Sequence, residues 1–315
     1  MSVTNDYLTK YNEQDIEDAI TFQKRFKVDR NLLWMDNRVV CSTATTNIYV
    51  NSSTGVDDWD AGYGATAAKP LKTLEYMMKF IPHMSRDANT TNGTAATGSV
   101  GAYAYNINIY ITGTFTSPNG LKYLQFCDIS QRIYIVITGN TTMTGYMLYF
   151  SNCSAAFIRL EANLTLNSGS TKNTTSIGSG TWMGMIYAYH STLEIYANTP
   201  SGATAQALRV LTINGNTTLR DSIYLCGVIS INCSQLRIDG DSGNNRGTRV
   251  TVNNCRRAFN ARGASTMYVA WIYSGSGNTE GKRAESGSFL AYGTQTNLSN
   301  GSNYQSVGGR VFTGG

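Results

Sequence analysis

The feature that most constrains this chain is a five-residue motif recurring through its C-terminal two thirds. It reads Ala156-Phe-Ile-Arg-Leu160, Ser191-Thr-Leu-Glu-Ile195, Ser234-Gln-Leu-Arg-Ile238 and Ser265-Thr-Met-Tyr-Val269, with Gln131-Arg-Ile-Tyr-Ile135 as an earlier copy and Thr294-Gln-Thr-Asn-Leu298 as a frayed last one. Apolar and outward positions alternate, the period of a strand with one buried face. Copies lie about 25 to 43 residues apart, too unevenly for a strict-period repeat. Equal strands on unequal connections suit circuits stacked at roughly 4.8 Å, where strands must match but turns grow freely outward. The expected fold is therefore all-β, a right-handed single-stranded parallel β-helix (a β-solenoid) with a short N-terminal helical segment. Leu193, Leu236 and Met267 should lie over one another around a dry interior. Arg159, Glu194, Arg237 and Tyr268 should form an outward column, with Asn152, His190, Asn232, Arg262 and Gly293 at the corners. A second string pairs Ile137–Phe150 with Ile213–Cys226 through a shared Gly-Asn-Thr-Thr, read as a turn between strands.

Composition supports a folded β protein. Tyr reaches 20 residues and Pro only 4, while charged residues make up 14% against about 25% in ordinary domains. The net charge of +5 is scattered, with Arg256, Arg257 and Arg262 the densest basic cluster. Without a basic stripe, no nucleic-acid partner is expected. No apolar run reaches membrane-spanning length, so no membrane insertion is expected. The first residues lack the order of a signal peptide, which predicts synthesis in the cytoplasm. Six cysteines without a C-x-x-C pair and two histidines offer no zinc set, so no metal and no cofactor are expected.

Three regions separate by pattern. Residues 1–43 are expected to form an attachment or oligomerisation segment, read as a helix whose Ile16, Ile20, Phe22 and Phe26 would dock to the body, to copies of itself or to another protein. Residues 44–104 make a first circuit and a capping helix over 70–81, opened by Pro70 and closed by Pro82. Residues 105–315 hold the β-helix and a C-terminal tail that covers its end or meets sister chains.

The stretch from Asn47 to Ile81, with Ile48-Tyr49-Val50, Gly55, Asp57, Asp60, Gly62, Pro70-Leu71 and Thr73-Leu74, resembles the opening of pectin-lyase-like β-helix proteins of phage tail fibres and tailspikes. Gly309-Arg310-Val311-Phe312-Thr313-Gly314 resembles endings of such proteins. The resemblance covers about residues 44–315 and implies a homotrimer in the virion, contacting other tail proteins and binding or cleaving host-surface glycan.

The expected function is a non-enzymatic tail fibre, spike or adaptor. The alternative is a polysaccharide depolymerase, a hydrolase or lyase. Hydrolysis needs two carboxylates at about 5–5.5 Å or 6.5–9.5 Å, and the candidates are Glu161, Glu194, Asp239 and Asp241. Against this, Glu194 also suits a charge ladder and the Asp residues suit turns. Sugar rings stack on exposed aromatic faces, for which Trp182, Tyr189, Tyr196, Tyr268 and Trp271 are candidates, although Tyr is also a common ladder residue. His190 sits in a corner column shared with Asn, where stacking is the simpler role.

Overall fold

The structure, a computed structural model, describes residues 26–35, 38–42, 44–81, 106–129, 132–172, 182–198, 208–241, 246–295, 303–305 and 308–313. It opens with an antiparallel sheet of β1 (Phe26–Asp29), β2 (Leu32–Met35) and β3 (Arg38–Ser42). The body that follows is mostly β and pairs almost wholly in parallel. A first ladder contains β4 (Thr46–Asn51) and the first halves of β5 (Asn106–Thr116) and β7 (Arg132–Thr144). It continues through β9 (Ala156–Leu160), β12 (Thr192–Ala197), β15 (Gln235–Ile238), the start of β19 (Thr266–Ser274), β21 (Phe289–Gln295) and β23 (Arg310–Thr313). A second ladder joins the later halves of β5 and β7 to β10 (Leu164–Asn167), β13 (Leu208–Asn214), β17 (Arg246–Asn253) and the end of β19. A third runs β6 (Lys122–Cys127), β8 (Tyr146–Ser151), β11 (Met183–Tyr189), β14 (Leu225–Ile231), β18 (Arg257–Arg262), β20 (Glu280–Ala284) and β22 (Asn303–Gln305). From β5 to β20 the chain visits first, second and third ladders in turn, then re-enters the first one rung further on. Because β5, β7 and β19 span two ladders, the first two form one 13-stranded sheet beside the 7-stranded third.

Register gives the repeat its physical meaning. Ile133, Ala156, Leu193, Leu236, Met267, Leu290 and Val311 pair in one line, and Ile135, Ile158, Ile195, Ile238, Val269 and Tyr292 in the next. Apart from half-buried Val311, which packs against it, these side chains belong to one buried cluster drawing on all three ladders and the N-terminal sheet. Burying one such Leu or Ile stabilises the fold by about 1.5–3 kcal/mol.

Two readings of the repeat need correction. The copy at Ala156 is displaced by two residues, because an alanine fills the first inward position. Phe157, not Arg159, therefore joins Glu194, Arg237 and Tyr268, while Arg159 stands beside Tyr196. The late copies begin at Ser288 and Gly309 rather than Thr294, so the C-terminal tail supplies the last rung of the first ladder. Leu298 lies outside the described residues.

Small polar residues form lines of their own. Backbone N–H groups of Cys153, Ser191, Ser234 and Ser265 donate to the hydroxyls of Ser191, Ser234, Ser265 and Ser288 at 2.9, 3.1, 3.2 and 3.1 Å. Each buried serine thus satisfies an amide of the preceding circuit. At the end of the second ladder Asn253 donates to Asn214, and Asn214 to Asn167, both at 2.9 Å. Asn152, His190 and Asn232 hold the expected corner with φ of 53°, 45° and 54°. Arg262 and Gly293 lie inside strands instead, and the next turn is taken by Gly263 at φ 61°, where a Cβ would stand 2.8 Å from Asn232 Oδ1.

The shared Gly-Asn-Thr-Thr does not mark equivalent places. At 139–142 it continues β7, whereas at 215–218 Asn216 caps helix α2 (Thr217–Ser222), accepting from Thr218 N at 2.9 Å. Tertiary pairing decides between them: Thr141 aligns with Gly113 and Leu164 on neighbouring rungs.

Helix α1 (Leu74–Met77), continued by a 3₁₀ turn over Met78–Phe80, is shorter than the 70–81 span expected. Leu71 is held extended against Val50, its N–H donating to Tyr49 O at 2.8 Å, so the helix starts only after Thr73. The Asp57 carboxylate fixes that start, accepting from the N–H groups of Lys72 and Thr73 and from the Thr73 hydroxyl at 2.9, 2.9 and 2.6 Å. Gly55 passes so close to Leu71 O that a Cβ would lie 2.1 Å away. The antiparallel sheet packs here through Trp34 on Phe80 and through Arg30 over Trp59. Phe26 opens β1 and so departs from the expected helix; Ile16, Ile20 and Phe22 lie outside the described residues.

Candidate functional site

Alternation gives the first ladder a face turned away from the core, broken only at buried Val136 of β7. Along β9, Ala156, Ile158 and Leu160 are core residues while Phe157 and Arg159 are not. The outward face carries rings in contact across rungs: Tyr49 stacks on Tyr110 and Tyr134 on Phe157, each at 4.6 Å between centroids, and Phe157 meets Tyr196 edge to face at 6.4 Å. Further on Tyr268, Phe289 and Phe312 are 40%, 47% and 44% exposed, the last two stacked at 6.3 Å.

Charges punctuate this face. Arg159 pairs with Glu161 at 3.0 Å and Arg237 with Asp239 at 3.1 Å. The Asp239 hydrogen bond is the main reason the Arg237 guanidinium is held even more firmly protonated than usual, with Glu194 adding to it. Burial raises the Tyr196 phenol above its ordinary range. The face offers rings, carboxylates and guanidinium groups in a flat array, suited to contacting a hydroxyl-rich surface rather than enclosing a small substrate.

Register separates one expected carboxylate pair. Glu194 pairs with Phe157, four residues before Glu161, an offset of roughly 13 Å along the strand. The two are not in hydrolytic reach because Glu161 follows the end of β9. Glu194 and Asp239 do fall on neighbouring rungs at a diagonal, roughly 7–8 Å between Cα atoms, with Arg237 beside both. Asp241 lies in β16 (Gly240–Asp241), pairing with Arg246; its side chain is outside the described residues.

The aromatic candidates divide between ladders. Tyr196 and Tyr268 share the first-ladder face. Tyr189 closes β11 in the third and leans on His190 at 4.4 Å, while Trp182 just precedes that strand. Trp271 sits in β19, its side chain outside the described residues.

Sequence reasoning missed a dense network on the third ladder. Arg257, with only 3% of its side chain exposed, bonds Glu280 at 2.8 Å and Glu285 at 3.3 Å. Arg262 reaches Glu285 at 2.9 Å, Arg283 pairs with both glutamates, and the Arg257 guanidinium lies 3.8 Å from the Trp182 ring centre. Desolvation lowers the Arg257 pKa from its usual value. Arg256 extends the cluster over Tyr224 and toward Asp221. The visible signal was the basic trio Arg256, Arg257 and Arg262, whose acidic partners lie on other circuits, Asp221 before them and Glu280 and Glu285 after. Carboxylates answer the arginines here.

Among the described residues no group of three His, Cys, Asp or Glu side chains is placed to hold a metal, and no helix is long and apolar enough to cross a membrane. Comparison with family models, curated proteins and solved structures finds no match to this chain.

Proposed function

We propose that the three ladders close around their common core as a right-handed parallel β-helix, and that the chain is a structural, receptor-contacting part of a bacteriophage tail: a fibre, spike or adaptor. Handedness follows the strong right-handed preference of parallel crossovers. The observation that carries the functional reading is the outward stripe of the first ladder. Its rings and charges repeat at rung spacing along a stiff body, matching an extended glycan at the host surface better than a small metabolite. The opening segment around Asp57 and Thr73, which resembles that of tail fibres and tailspikes, supports the same reading.

In this account the chain acts as a homotrimer in the virion, with residues 1–43 joining it to other tail proteins. Sedimentation equilibrium should give about three times the 34.3 kDa chain mass; a monomer at micromolar concentration would reject the trimer. Immunogold labelling of particles from cells expressing the native gene should decorate the tail, and label confined to the cell envelope would reject the virion assignment. Removing residues 1–25, which spares the antiparallel sheet packed on the body, should leave a folded chain that no longer joins particles; unchanged incorporation would reject the docking role.

The depolymerase alternative draws on one observation, the diagonal placement of Glu194 and Asp239. Release of oligosaccharides from host polysaccharide, abolished by Glu194→Gln or Asp239→Asn, would favour it. No release is the expected result.

A further inference from the structure

Where α1 meets the leading rungs, a groove of about 460 Å³ is lined by Ser52, Lys72, Glu75, Thr114, Thr116 and Tyr146, among others. Its volume falls in the range of small-molecule sites, about 300–1,000 Å³. Phe115 and Tyr146, 5% and 2% exposed, supply an apolar floor, while Thr114 and Thr116 stand exposed on the rim.

Glu75 is held in this groove by two donors from separate strands. Lys122 Nζ, from β6, lies 2.5 Å from Glu75 Oε1, and the Tyr146 hydroxyl of β8 donates to the same oxygen at 2.7 Å. Burial pushes the Glu75 pKa up, but the bonds from Lys122 and Tyr146 outweigh it and leave the net value below the usual carboxylate range. The carboxylate is therefore ionised at neutral pH, oriented by one oxygen, and about a third exposed. Lys72, also exposed, stands on the same rim.

Ligand class follows from elimination. A hydrocarbon would strip water from Glu75 and Lys72 without replacing its hydrogen bonds. An inorganic anion would face the Glu75 carboxylate, and an organic cation would face Lys72 and Lys122. A sugar ring fits all three demands: its hydroxyls donate to the carboxylate, accept from the ammonium and threonines, and its C–H face lies on an aromatic floor.

We propose that this groove is a saccharide pocket in which Glu75 and Lys72 grip the hydroxyls of one sugar ring. The proposal rests on the glycan-contacting part of the reading above and adds a contact point at the N-terminal end, away from the exposed rings of Tyr268, Phe289 and Phe312.

The test uses the full chain and saturation-transfer NMR, with methyl glycosides of glucose, galactose, N-acetylglucosamine and glucuronic acid as probes and inorganic phosphate as competitor. At least one glycoside should bind and resist displacement by phosphate. Glu75→Gln keeps an acceptor for Lys122 and Tyr146 but removes the charge, and should weaken binding tenfold or more. Thr116→Trp, on the exposed rim, should block the groove without touching the Glu75 bonds. Tyr268→Ala should leave glycoside binding unchanged. Full binding in both groove variants, or loss only in Tyr268→Ala, would overturn the pocket while sparing the glycan reading. Failure of every glycoside would also overturn it. A pull-down of the same chain on host polysaccharide then judges the glycan reading separately.

Discussion

The first and third ladders share one pairing rule and use it to opposite ends. Both are parallel, and both carry arginines beside carboxylates. On the first, burial alternates in every strand but β7, where Val136 is also buried, and Arg237 keeps 58% of its side chain exposed beside Asp239. On the third, β8, β11 and β18 each send two successive residues into the core, Met147-Leu148, Met185-Ile186 and Ala258-Phe259. That doubling breaks the period of two, and Arg257 is all but sealed between Glu280, Glu285 and Trp182. Backbone pairing thus fixes rung spacing, while local alternation decides whether outward charge meets water or other charge.

This contrast is open to direct attack. Arg257→Ala removes two nearly buried charge-assisted bonds, to Glu280 and Glu285, at roughly 1.5–3 kcal/mol each, and should cost about 3–5 kcal/mol in chemical denaturation. Arg237→Ala should cost no more than about 1 kcal/mol. Equal losses would break the distinction between the ladders. The serine line offers an intermediate case: Ser234→Ala leaves the Ser191 N–H without its acceptor and should cost about 1–3 kcal/mol. If it costs nothing, the line is incidental to stability.

A further test lies where the two ladders meet at the far end. Lys282, 2% exposed, lies 3.6 Å from the ring centre of Tyr292, and desolvation lowers its pKa. Between that lowered value and 10.5 the unfolded chain binds more protons, so stability rises with pH. Lys282→Met should therefore raise the melting temperature at pH 7, and its advantage should shrink as pH approaches 10.5. A destabilised variant at pH 7 would show that the ammonium is better served than its burial implies. The smallest effect is kinetic. Exposed Cys233 should react with a thiol reagent well before Cys153 and Cys226, whose thiols burial pushes up to about 12.

Much of the first ladder was legible because its motif is local. Ser191, Ser234 and Ser265 each precede two inward apolar residues, so register could be read without pairing data. Legibility failed where one position was atypical: Ala156 slipped the register, and Ala291 and Gly309 hid the final rungs. The asparagine line was overlooked although Leu164-Thr-Leu-Asn167, Leu211-Thr-Ile-Asn214 and Val250-Thr-Val-Asn253 spell it out. Gly-Asn-Thr-Thr misled for the opposite reason, since identical residues took strand or helix according to their neighbours. Of the Arg257 network only the basic trio was legible, and of the Glu75 groove nothing was. Each joins residues from different circuits or elements, and the connections between circuits are too irregular to count across.

Stacking of successive circuits underlies both the fold and the proposed glycan contact. Spin labels at Glu194 and Phe312, in a cysteine-light background, sit four rungs apart through Arg237, Tyr268 and Ala291. Electron double resonance should return a backbone separation of about 19 Å, and moving the first label to Tyr268 should shorten it to about 10 Å. Separations that fail to scale with the number of rungs would contradict the stack and the functional reading built on it.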